Sequence, residues 1–380
     1  MCCCCPPAIS ALFCLWAKSG CSKGTVAGAL TFFPPEPPLY RFERHDAEGR
    51  VLRDNQEADD IRAVNQSVDE EVGDLQLPES SEPLDAKTDG QTKEKMKSPI
   101  EQLTQQAGER KIRARERQKR DAKDAVHNVS FKLLLDPRLQ VPPHDDSLIE
   151  AVKIPSARGV YLAAVLYRMS PPSRPADRKT IIYSHGNATD IGAMFPIQVV
   201  MAHSLDCNVL SYDYSGYGES GGVPDEHATY RDMEAVYEYV LEHLAGNAPS
   251  NVILYGQSVG SGPCCYLAAT ENDLGGMILH SPFTSGMRVL TPSRLLSCLD
   301  IYPNIDRIKK VSCPVMVIHG RLDQEVDVSH GMDIHNAVPE ECRRDPWWVS
   351  DRGHNDIIEG PGKLSQYVRR LRRFLNSLDT

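Results

Sequence analysis

Beyond about residue 145, short and almost uniformly apolar runs alternate with longer stretches in which apolar residues return every three or four positions. The runs Leu148–Ile154, Val160–Leu166, Thr180–Ser184, Val209–Asp213, Val252–Tyr255, Gly276–His280, Pro314–Gly320 and Trp347–Val349 have the length and composition of buried strands. Helical periodicity fills the intervals at Met194–Ser204, Glu226–Leu244, Gly262–Thr270, Ser329–Asn336 and Gly362–Ser377. Strands apolar on both faces, alternating with amphipathic helices, predict an α/β domain with a mostly parallel central sheet covered on both sides. The domain is expected over 126–380. The stretch between Ser281 and Val311 is too short for a large lid, so a small or absent lid and a comparatively open site are expected.

The front of the chain has a different pattern. From Phe42 to about Lys123 it is polar, with acidic runs such as Asp69-Glu70-Glu71 and few aromatics. Such a composition buries too little surface to offset chain entropy, so 42–125 is expected to be a disordered, charged insert. Its end, Arg110 to Arg120, is basic and helix-prone, suited either to a solvated helical face or to anionic lipid headgroups. Residues 8–17 are mostly apolar but too few to span a bilayer, and they lack the basic start of a secretory signal.

Composition sharpens the picture at two points. The 380 residues carry a net charge of −10, and with no RNA- or DNA-binding motif this argues against a nucleic-acid partner. Of 12 cysteines, Cys2, Cys3, Cys4, Cys5, Cys14 and Cys21 crowd the start, while the rest are scattered without paired spacing. That is not a disulfide framework, so the later thiols are expected to be reduced; a metal-binding knot or a chance run stays the alternative for the cluster, but with no histidine nearby and no separating spacers no metal or cofactor is expected. Clustered cysteines beside a short apolar segment suit S-acylation, with Cys2 to Cys5 and Cys14 as candidates in a membrane anchor over 1–41. Several acyl chains hold a protein on a membrane where one does so only marginally. The expected address is therefore the cytosolic face of membranes, which discounts the sequons at Asn128 and Asn187.

Candidate chemistry centres on Gly256-Gln257-Ser258-Val259-Gly260, directly after an apolar strand. A serine between two glycines here fits a sharp strand-to-helix turn in which larger side chains would clash. Asp323 follows the strand ending at Gly320, and His354 follows the one ending at Val349, giving gaps of 65 and 31 residues. Serine, aspartate and histidine in this order, each just past a strand, match a nucleophile, charge partner and base. Asp327 and Asp356 are lesser alternatives to Asp323. The turn His185-Gly186-Asn187-Ala188 follows another strand, so the backbone N–H groups of Asn187 and Val259 are the expected oxyanion donors. The Gly216–Gly221 stretch also fits a dinucleotide fingerprint, but its helix begins only near Asp225, so a glycine-bent loop is the better reading.

The stretches Ser184–Ala188, Ser211–Gly218, Leu254–Gly260, His280–Val289 and Gly353–Asp356 resemble those of the α/β-hydrolase domain-containing protein 17 family, membrane-anchored depalmitoylating serine hydrolases. The cysteine cluster and Phe32-Phe33-Pro34-Pro35-Glu36 are similar to that family as well. The resemblance implies Ser258 as nucleophile, Asp323 as charge partner and His354 as base. It also implies a protein S-palmitoyl thioesterase acting on palmitoylated membrane proteins, at sites such as the plasma membrane and endosomes. The charged insert departs from the family pattern. A lipid or small-ester esterase, a peptidase, and a non-catalytic lipid-anchored interaction protein remain the alternatives.

Overall fold

The computed structural model describes residues 31–52, 99–126, 129–169, 179–290 and 300–378. The candidate acylation sites Cys2, Cys3, Cys4, Cys5 and Cys14, and residues 53–98 of the expected insert, lie outside the described residues. Ten strands form one sheet: β1 (Tyr40–His45), β2 (Ser130–Leu135), β3 (Ile149–Pro155), β4 (Tyr161–Tyr167), β5 (Thr180–Ser184), β6 (Asn208–Tyr212), β7 (Val252–Gln257), β8 (Gly276–His280), β9 (Val315–Gly320) and β10 (Trp347–Val349). Their spatial order is β1-β2-β3-β4-β6-β5-β7-β8-β9-β10. The pairings from β1 through β4 to β6 are antiparallel, and those from β6 to β10 are parallel. From β5 the chain moves to β6 on one side and returns to β7 on the other. That reversal leaves a crevice at the carboxyl ends of β5 and β7, the usual place for a site in an open α/β sheet.

Period-two alternation assigns each strand residue to a face. Ile182, Leu210, Leu254, Leu279 and Val317 point into one core, and Ile181, Val209, Ile253, Ile278 and Ile318 into the other. The first core is closed by α3 (Glu226–His243), α4 (Ser261–Ala268) and α5 (Val328–Ala337), and the second by α2 (Ile191–Leu205) and α6 (Lys363–Asn376). Asp190, Asp225 and Asp327 start three of these helices by accepting from the N–H of Ala193, Ala228 and Ser329. Between β8 and β9 the described residues hold short helical turns at Gly286–Leu290 and Asn304–Arg307, the latter running on into a 3₁₀ turn over Ile308–Lys310. Cys264, Cys265, Cys313 and Cys342 are buried free thiols, and Cys207 is buried as well.

The sheet begins earlier than the sequence pattern indicates. β1 runs from the end of the expected 1–41 anchor into the stretch expected to be disordered, and it and β2 lie outside the strands read from the pattern. β1 is a half-exposed edge strand and β2 lies next to it, and charge dilutes the alternation of both. The basic segment expected to be a solvated helix is part of α1 (Pro99–Val126), and one side of it is docked. Arg113, Arg117, Arg120, Asp121 and Asp124 fall on that side at helical spacing. They meet Glu36, the carbonyls of Gly218 and Ser220, Glu219, Lys153 and Arg44 respectively. Lys153 is almost fully buried, 3.2 Å from Asp121, and also donates to the Glu219 carbonyl at 2.6 Å. Burial is the largest influence on both partners: it raises the Asp121 pKa and lowers that of Lys153 despite their attraction.

A buried pair of this kind matters most when one half is removed. Asp121→Ala is expected to destabilise the protein by about 3 kcal/mol, because it leaves the Lys153 ammonium desolvated with weaker compensation. The double variant with Lys153→Met is expected to lose less than the single one. Urea denaturation measures both, and strictly additive losses would contradict the pairing.

Candidate active site

The backbone at Ser258 is left-handed, with φ of 49°. β7 ends at Gln257, and a 3₁₀ turn over Ser258–Gly260 leads at once into α4. Both glycines of the motif are sterically required. A Cβ on Gly260 would lie 2.1 Å from the Ser184 carbonyl oxygen, and one on Gly256 would lie 2.6 Å from the Gly260 carbonyl oxygen. The turn is therefore wedged against the end of β5, which brings Ser258 beside the His185–Ala188 turn. The Gln257 side chain is fixed by the Tyr183 hydroxyl at 2.7 Å. A strained, over-determined nucleophile position of this kind is a usual device of hydrolytic sites.

The three residues expected to act together meet here. His354 Nε2 lies 2.9 Å from Ser258 Oγ, and His354 Nδ1 lies 2.6 Å from Asp323 Oδ2. Since a carboxylate only accepts, Nδ1 carries the ring proton and Nε2 is left to receive the serine hydroxyl. Asp323 Oδ1 accepts from the N–H groups of Glu325 and Val326, and Oδ2 lies 3.1 Å from His319 Nε2. Burial opposes ionisation of Asp323, but hydrogen bonds from His319, His354 and the Val326 N–H outweigh it and hold the carboxyl well below its ordinary range. The alternatives are engaged elsewhere: Asp327 caps α5, and Asp356 accepts from the Gly353 N–H at 2.6 Å. Among the described residues, no group of three or more His, Cys, Asp or Glu is arranged to hold a metal ion.

Several supporting residues were not singled out by the sequence. His319, fully buried, also donates through Nε2 to the Val326 carbonyl at 2.8 Å and so holds the loop carrying Asp323. His185, fully buried in the turn after β5, lies 3.2 Å from Asp213 through Nε2, and its carbonyl accepts from the Tyr214 hydroxyl at 2.6 Å. His280 ends β8, where its Nδ1 meets the Tyr255 hydroxyl at 2.8 Å. Burial first, then the neighbouring His354 and His319, push its pKa down to about 3. The only hint in the sequence was a histidine at the end of each of three otherwise apolar strands. Asn187 and Val259 stand on the two abutting turns. In the Gly216–Gly221 stretch, Gly216 and Gly218 adopt positive φ and α3 starts only at Glu226, so it is a bent loop.

The fold and this site define an α/β-hydrolase with a serine nucleophile. The pattern of the serine aminopeptidase S33 family matches residues 175–300. An esterase from Pyrococcus furiosus superposes with a TM-score of 0.50 at 18% identity, over 64% of this chain and 97% of its own. An acetyl xylan esterase from Paenibacillus sp. R4 also gives 0.50, at 15% identity over 62% and 86% of the two chains. Both likenesses speak to the fold alone. The chain is 41% identical over 229 residues to α/β-hydrolase domain-containing protein 17C of Xenopus laevis, covering 60% of this chain and 70% of the relative. It is 40% identical over 240 residues to the 17B protein of Homo sapiens, covering 62% and 78%. The chain belongs to the α/β-hydrolase domain-containing protein 17 family.

His280 makes the fold acid-sensitive in a defined window. The unfolded chain takes up a proton on this ring near its ordinary value of about 6.5, whereas the folded protein does so only near 3. The unfolded state thus binds more protons between those values, and stability falls as pH drops through them. The contribution lost by pH 4 is on the order of 3 kcal/mol. In His280→Gln this slope is expected to flatten, as read from denaturation midpoints at pH 7, 5.5 and 4. Parallel curves for the variant and the wild type would contradict the assignment.

Proposed function

We propose that this serine hydrolase removes palmitate or a similar long acyl chain from S-acylated cysteines of membrane-associated proteins, through an acyl-serine intermediate. The observation that carries the hydrolytic part is the Ser258–His354–Asp323 array, with both hydrogen bonds at catalytic length. Support for the thioester part comes from the resemblance to depalmitoylating hydrolases and from the cysteine cluster that would hold the enzyme beside such substrates. His354 Nε2 takes the Ser258 proton as Oγ attacks the thioester carbonyl. Asp323, kept ionised, fixes the ring tautomer and stabilises the imidazolium. The N–H groups of Asn187 and Val259 receive the oxyanion. The C–S bond breaks, the cysteine sulfur leaves and takes the proton from His354, and water activated by the same ring then releases the fatty acid. A thiolate is a far better leaving group than an amine, so this array suits thioesters without a stronger acid.

Labelling by a fluorophosphonate probe is expected in the wild type and absent in Ser258→Ala. Asp323→Asn is expected to lower kcat by about 10⁴, because the neutral amide no longer enforces the tautomer. Among matched palmitoyl thioester, ester and amide substrates, the thioester is expected to give the highest kcat/KM. A preference for the amide would defeat the thioesterase reading while leaving the hydrolase reading intact.

Membrane attachment is checked separately. Replacing Cys2 to Cys5 with serine is expected to move the protein from the membrane to the soluble fraction of a cell lysate, because the acyl anchor is lost. Unchanged membrane recovery would refute it.

A further inference from the structure

The turn proposed to supply an oxyanion donor is held from outside the sheet by the segment Thr31–Phe33. The Asn187 side chain is bonded at both ends. Its Nδ2 donates to the Thr31 carbonyl at 2.6 Å, and its Oδ1 accepts from the Phe33 N–H at 3.0 Å and from the Tyr217 hydroxyl at 2.8 Å. The same Oδ1 accepts from the Ala188 N–H at 3.0 Å, where the backbone is left-handed with φ of 52°. Phe32, between the two clamping peptides, is 1% exposed and packs edge-on against Tyr217 and Tyr302. Tyr217 is itself fully buried, on a loop whose Gly218 and Ser220 carbonyls are held by Arg117 of α1.

We propose that Phe32 and Tyr217 are positioning residues for the oxyanion turn, acting through the Asn187 side chain. The Asn187 amide N–H and its side chain share one Cα, so anchoring the carboxamide at three points fixes the direction of the 186–187 peptide. An oxyanion donor works only when it is already aimed at the charge that develops, and a displacement of a fraction of an ångström is enough to weaken it. Phe32 supplies the buried anchor that keeps the Thr31 carbonyl and Phe33 N–H in place. Tyr217 closes the cluster by donating to Oδ1 and lying 3.2 Å from the Phe33 nitrogen. The strap is also the end of the segment that carries the cysteine cluster, so the anchor-bearing stretch and the site's geometry meet at one asparagine. This inference rests on the serine-hydrolase reading.

The test uses the full-length chain in detergent-free buffer with a soluble short-chain acyl thioester, so that membrane attachment plays no part. Phe32→Ala and Tyr217→Phe are each expected to lower kcat by about 10-fold, with KM changed by less than about twofold, and to slow fluorophosphonate labelling of Ser258 in step. Phe32→Leu is expected to recover most of the loss, since it refills the buried socket. Tyr217→Phe keeps the ring and loses only the hydroxyl, so it decides the matter if Phe32→Ala does not fold. Folded variants with wild-type kcat, or with the loss confined to KM, overturn the proposal while the hydrolase reading stands. A wild type that neither turns over the thioester nor is labelled at Ser258 overturns the hydrolase reading and this inference with it.

Discussion

The site depends on one close approach of backbone to backbone. Gly260 lies so near the Ser184 and His185 carbonyls that no side chain fits between the two turns. That contact fixes the exit of β7 against the exit of β5, and with it the left-handed conformation at Ser258. The reversal of strand order at β5 supplies the crevice, and the glycine contact sets its width. The strain at the serine is sustained because parallel pairing on both flanks of β7, burial of its residues and the immediate start of α4 leave the chain no other path.

Three buried carboxylates organise the loops around this contact, and in Asp323 and Asp232 the balance of burial against donors sets the direction in which the carboxyl is shifted. Asp323 receives two backbone N–H groups and two histidines and is held well below the ordinary carboxylate range. Asp232 is met by the N–H and hydroxyl of Ser215 and the hydroxyl of Ser156. Burial outweighs those neutral donors and pushes its pKa up to about 6. Asp213 accepts from the Ile191 N–H and the Tyr40 hydroxyl and faces His185. One carboxylate faces His354, and the other two tie the glycine-bent loop and the His185 turn to the sheet.

The front of the chain is joined to the same region through contacts distant in sequence. Tyr40 reaches Asp213 and the Glu219 N–H, and α1 grips the loop at Gly218–Ser220 while burying the Lys153–Asp121 pair against the sheet. Thr31–Phe33 closes on Asn187. Elements from the front of the chain therefore brace the glycine-bent loop and the His185–Ala188 turn.

The order of strands and helices, the serine elbow, and the aspartate and histidine that complete it were all determined by local sequence. Apolar runs of strand length, helical periodicity and glycines forced by tight turns are properties of short windows. β1 and the docking of α1 were not legible, because a half-exposed edge strand and a charged helix look the same in sequence whether or not a partner lies across them. Arg117, Asp121 and Asp124 read as solvated until the fold brings Ser220, Lys153 and Arg44 to meet them. The choice of Asp323 over Asp327 and Asp356 rested on spacing, and the fold decides it by aiming one carboxylate at His354 Nδ1. The contacts of His185, Asn187 and Phe32 were likewise set by tertiary structure, since hydrogen bonds and aromatic edge contacts between residues far apart along the chain leave no trace in the local pattern.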